Sequence, residues 1–141
     1  MNHQEYDTHT RYYHLHHFII LPLAFFLFIW TVKLALEDPA NDWLYILVGL
    51  LFILISFVSR IYANKNQDRI IRLEMRLRYF QLMNVPFTEK ENMLDIHQIV
   101  ALRFASDDEL LELIDRAILQ NLSPKEIKKS IREWQGDFMR V

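Results

Sequence analysis

The chain contains no cysteine. Disulfides, thiol nucleophiles, iron–sulfur ligation and Cys-type zinc sites are excluded at once. Glycine is almost as scarce, with only Gly49 and Gly136 among 141 residues. No phosphate-cradling loop can be assembled from two distant glycines. Neither a nucleophile–base pair nor a paired-carboxylate arrangement stands out. Asp107, Asp108, Glu109 and Glu112 read as charges at a helix start, where the helix dipole favours them. No catalytic residue is assigned, no cofactor is expected and no small-molecule substrate is evident.

What the chain does have is concentrated apolar sequence. The mean hydropathy near zero averages two unlike halves. Residues 18–36 (FIILPLAFFLFIWTVKLAL) and 43–62 (WLYILVGLLFILISFVSRIY) are almost wholly apolar, and residues 37–42 between them are an acidic turn. A bilayer core of about 30 Å requires about 20 apolar residues as a helix. Buried helices of a soluble protein would each carry a polar face, and neither stretch has one. The expected class is an all-α membrane protein, an antiparallel two-helix hairpin whose second helix continues as a cytosolic rod into a small three-helix domain. The first stretch is expected to be an uncleaved anchor, because its run is long and no small-x-small cleavage site follows. Pro22 is placed in the first turn of that span, where a missing N–H costs little.

Orientation follows from Lys and Arg. Residues 1–59 hold two basic and five acidic residues, 60–83 six basic and two acidic, and 84–141 eight basic and eleven acidic. Arg11, Arg60, Lys65, Arg69, Arg72, Arg76 and Arg78 all flank one end of the hairpin, and only Lys33 lies near the other. Both termini are expected in the cytosol. Trp30, Trp43 and Tyr45 suit the outer interface, and Tyr12, Tyr13 and Tyr62 the inner one. Inside the spans only Thr31, Ser56 and Ser59 carry hydroxyls, and no carboxylate or histidine lies at mid-depth. That composition argues against an ion or proton path, and no G-x-x-x-G pair is present.

Residues 63–83 contain nothing to stop a helix, so the second span is expected to run on as one rod, a basic amphipathic helix. Ile70, Leu73, Leu77 and Phe80 recur at i, i+3, i+7, i+10 and form an apolar packing stripe. It is expected to meet the C-terminal domain or a second copy. Lys65, Arg69, Arg72 and Arg76 form a basic stripe, and with Arg11 they are candidate contacts for anionic lipid head groups or a protein partner. Glu74 and Arg78 make an i,i+4 pair. The net positive charge is too modest, and the following domain too acidic, for nucleic acid to be the expected partner.

Asn84-Val85-Pro86 breaks the rod. Three helices are predicted in residues 84–141. Asp95 caps the first. Ser106 with Glu109 and Ser123 with Glu126 are predicted capping boxes for the second and third, Pro124 standing at the first position of the last. Gly136 is the predicted stop. Ile96, Ile99, Val100, Leu102, Phe104, Leu110, Leu113, Ile114, Ala117, Ile118, Leu122, Ile127, Ile131 and Trp134 are the candidate core residues. His97 reads as a surface or core-edge residue.

Residues 1–17 form a His/Tyr-rich interfacial arm. Five of six histidines lie there: His3, His9, His14, His16 and His17. Imidazole is a common ligand for transition metals and haem. His9, His16 and His17 are the weak candidates, with only Glu5 and Asp7 as nearby carboxylates, and no metal site is assigned.

The segments NHQEYDTHTRYYHLHHFIILP, QDRIIRLEMRLRYFQL and HQIVALRFASDDELLELIDRAILQNLSPKEIKKSIREWQGDFMRV resemble domain-of-unknown-function family 6526, small two-pass membrane proteins of Bacteroidota. ALRFASD and LSPKEIKKSI carry the resemblance most specifically. It implies a Gram-negative inner membrane and brings no activity, cofactor or catalytic residue. Proline is common in that family where this chain has His14, which favours His9, Arg11, His16 and His17 over His14 as functional positions. The expected function is a non-enzymatic accessory or scaffold subunit of the inner membrane, serving a protein partner or a homo-oligomer. The alternative is a metal- or haem-binding redox subunit using the N-terminal histidines.

Overall fold

A computed structural model describes residues 14–136 of the chain. These form helices α1 (Leu21–Glu37), α2 (Pro39–Met83), α3 (Thr88–Glu91), α4 (Ile96–Leu102), α5 (Asp107–Gln120) and α6 (Pro124–Ser130), with a π-helical segment Leu15–Ile20 leading into α1. They fall into two compact units, one ending at Asn64 and one beginning at Lys65.

The first unit contains two helices long and apolar enough to cross a membrane. Only 17% and 11% of their most apolar stretches is buried, unlike the core helices of a soluble protein. Pro22 lies in the first turn of α1, as expected, but helical turns already run into it from His14. The π segment is the accommodation. Leu21 N–H bonds back to the His16 carbonyl, five residues earlier. The widened turn makes room where a proline ring meets the preceding turn.

The acidic turn is far shorter than the expected 37–42. Only Asp38, at φ −136° and ψ 80°, leaves the helical region. The residue before a proline is pushed out of the α region, and Pro39 is well suited to the first position of a new helix. Asp42 N–H then bonds to the Asp38 carbonyl at 2.9 Å, and α2 is under way.

Small residues line the buried faces here: Ala24, Thr31 and Ala35 on α1, Gly49 and Ser56 on α2. A Cβ at Gly49 would lie 2.5 Å from Thr31 Oγ1 and 3.1 Å from Phe28 Cα. Glycine therefore permits the approach of the two helices, as small residues do between helices in lipid. Thr31 donates its hydroxyl to the Phe28 carbonyl at 2.7 Å and needs no partner across the contact.

In the second unit α2 ends at Asn84, whose φ of 53° is left-handed and whose N–H bonds to the Phe80 carbonyl at 2.8 Å. Four short helices follow α2, not three, because Thr88–Glu91 forms an additional turn. Nine of the fourteen expected core residues are buried, Phe104, Leu110, Ile114 and Ile127 among them, and Phe87, Leu94, Ala101 and Ala105 join them. Ile96, Val100, Ile118, Leu122 and Trp134 are half-buried. Two caps form as predicted. Gln98 N–H donates to Asp95 Oδ1, and Asp95 N–H to Gln98 Oε1, each at 2.8 Å. Ser123 N–H donates to Glu126 Oε2 at 2.8 Å, and Glu126 N–H to Ser123 Oγ at 3.3 Å.

The Ser106–Glu109 box does not form. Glu109 instead accepts the backbone N–H groups of Arg132 and Glu133 at 3.1 and 3.2 Å. This explains why α6 stops at Ser130, well before Gly136. The carboxylate takes the N–H groups that would continue the helix, and the chain turns extended at Ile131. Gln135 N–H then reaches the Phe104 carbonyl at 2.7 Å, and the rings of Trp134 and Phe104 pack 5.1 Å apart.

Candidate functional site

From Lys65 to Met83, α2 carries three stripes. Ile71, Met75 and Tyr79, spaced i, i+4, i+8, enter the core, Met75 with 1% of its surface exposed. Tyr79 meets Phe87 ring to ring at 4.9 Å. At 100° per residue, Ile70, Leu73, Leu77 and Phe80 lie about 180° around the helix from these. They are exposed by 47–61%. Of the two coverings expected for the stripe, the C-terminal domain or a second copy, the first is not what the structure shows. One helix turns one face to a small core, and here the occupied face is the other one.

The arginines sit between. Arg76 Nε and Nη2 donate to Glu91 Oε2 and Oε1 at 2.6 and 2.9 Å, a two-pronged grip. Arg72 Nε lies 3.4 Å from the same carboxylate, which is only 7% exposed. Two cations one turn apart thus neutralise one nearly buried anion. The hydrogen bond to Glu91, and then its charge, raise the Arg76 pKa above its ordinary value. Arg72 and Arg76 were expected to face lipid or a partner, and both are instead committed to holding α3 against α2. Lys65 and Arg69 are exposed and form no ion pair with a described residue. Arg11 and His9 lie outside the described residues.

Arg78 was expected to pair with Glu74 and does not. It donates to Asp107 Oδ1 at 2.5 Å, the Ala105 carbonyl at 2.6 Å and the Arg103 carbonyl at 3.2 Å. One guanidinium thereby secures the α4–α5 loop and the start of α5. Lys90 bonds to Asp115 and lies 5.8 Å above the Tyr79 ring. The Asp115 hydrogen bond is the main reason its pKa is raised. These long-range pairs leave no local signature in the sequence beyond a surplus of basic residues on one helix and acidic ones on the next.

His16 and His17 meet edge-on at 5.2 Å, and His14 stacks on Phe18 at 5.5 Å. Among the described residues no group of three His, Asp or Glu is placed to hold a metal. Glu109, Glu112, Leu113, Arg116, Ser130 and Arg132 line a shallow hollow with room for about one water.

The most exposed organised feature of the second unit is therefore the apolar stripe, flanked by charge. The chain belongs to the family described as "Family of unknown function (DUF6526)". The match runs over residues 1–141. No curated protein and no solved structure matches the chain. The family description carries no chemistry with it.

Proposed function

We propose that this DUF6526 protein is a non-enzymatic accessory or scaffold subunit of the inner membrane. α1 and α2 cross as an antiparallel hairpin, with both termini and the Lys65–Gly136 unit in the cytosol. Their length and apolar composition support the crossing, and the crowding of Lys and Arg beyond the second span supports the orientation. Lys65 and Arg69, which form no ion pair with a described residue, face anionic head groups or a partner. Each such cation near the surface contributes about 1 kcal/mol.

One observation carries the functional part. Ile70, Leu73, Leu77 and Phe80 form a continuous exposed apolar stripe on a helix that has already satisfied its own domain through the opposite face. Contiguous exposed apolar surface of this kind marks interaction sites. The test is purification of the full chain from membranes in mild detergent, beside Leu73→Glu/Leu77→Glu. The expected result is an assembly for the native chain and its loss in the variant. Recovery of both as a lone 17.1 kDa chain would refute the scaffold reading.

A further inference from the structure

The stripe has a specific register. Its spacing of three, four and three residues is that of a and d positions in a heptad, which gives the period of 3.5 that keeps one seam facing a partner helix. With Ile70 and Leu77 at a and Leu73 and Phe80 at d, the flanking g positions are Arg69 and Arg76, and the e positions Glu74 and Gln81. All four flanking residues are exposed. Ile at a with Leu at d, as in the first of these heptads, is the combination that favours two strands.

We propose that Ile70, Leu73, Leu77 and Phe80 are the seam of a parallel two-stranded coiled coil between two copies of this chain. The inference rests on the scaffold reading and names its partner. Charge selects both the occupant and the direction. In a parallel pair g meets the e′ of the following heptad, bringing Arg69 to Glu74 of the other copy. In an antiparallel pair g meets g′, which sets arginines against arginines. Two copies with the same membrane orientation are related by a two-fold axis along the membrane normal, and that operator makes their helices parallel. The Arg76 side chain remains on Glu91, so dimerisation does not compete with the fold.

Two heptads are short, since sustained coiled coils run to three or four. Anchoring both copies in one bilayer supplies the missing association strength through effective concentration. The coiled coil therefore belongs to the membrane-bound chain.

The absence of native cysteine gives a direct test. Full-length Ile70→Cys and Phe80→Cys, each reconstituted in phospholipid vesicles and oxidised, are expected to form disulfide-linked dimers of twice 17.1 kDa. Asp68→Cys, on the face away from the seam, is the control that stays monomeric. Arg69→Glu in the Ile70→Cys background should reduce the dimer yield, and adding Glu74→Arg should restore it. Cross-linking only when the Ile70→Cys and Phe80→Cys chains are mixed overturns the parallel geometry. Yields no higher than the Asp68→Cys control overturn the self-association. The scaffold reading then still stands if the Leu73→Glu/Leu77→Glu pair strips another protein from the purified native assembly, and it fails with the inference if the chain is alone.

Discussion

Glu91 is the residue on which the second unit turns. It is nearly buried and carries a charge, which is tolerable only because Arg72 and Arg76 reach it from one turn of α2. Glu91→Ala is expected to lower the stability of the Lys65–Gly136 unit by about 1–3 kcal/mol. Arg72→Ala should cost less, because its side chain is 44% exposed and its contact is the longer one. Urea unfolding of the full chain in detergent, followed by Tyr and Trp fluorescence, measures both. The basic stripe was legible in the sequence as a stripe, but its use was not. Local spacing reveals that Arg72 and Arg76 share a face. It does not reveal that α3, a four-residue turn with no hydrophobic pattern, brings Glu91 back to them. The same limit applies to Ile71, Met75 and Tyr79. They too follow helical spacing, yet Ile70, Leu73, Leu77 and Phe80 are the more uniformly apolar set. Only the long-range position of Phe87 and its neighbours decides between two opposite faces.

At the level of elements, the caps read correctly where the cap is self-contained. Asp95 with Gln98 and Ser123 with Glu126 lie within four residues, so sequence suffices. Ser106 with Glu109 has the same pattern, and Glu109 is drawn away by the distant N–H groups of Arg132 and Glu133. The Ser123–Glu126 box has a pH signature. Hydrogen bonds from Ser123 hold the Glu126 carboxyl below its ordinary value of 4.5. Its contribution is therefore fully present above that pH and is lost as pH falls through the lower folded value. Protection of the α6 amides, taken relative to the intrinsic exchange rate at each pH, should fall in that window, and Glu126→Gln should remove the dependence. The two apolar helices make a different prediction. Gly49→Ala places a Cβ against Thr31 Oγ1 and should destabilise their packing by about 1–3 kcal/mol. Thr31→Ala in the same chain should recover part of the loss, because Phe28 Cα remains at 3.1 Å. Thermal unfolding of the three variants in detergent decides it.

Among the described residues of the whole molecule, an apolar pair of helices and a small capped helical unit account for nearly every organised feature. The two long apolar helices were plain from composition. The single-residue break at Asp38 and the π turns before Pro22 arise from proline sterics acting in context, which run length does not encode. The central claim is that the stripe opposite Met75 is covered by a protein in the native membrane. The direct measurement is the rate of aqueous thiol alkylation of Leu77→Cys in native membranes, beside Glu89→Cys as an exposed reference in the same unit. The account predicts slow labelling at position 77, restored to the reference rate when denaturant separates the assembly. Labelling of both positions at the same rate before denaturation would contradict it.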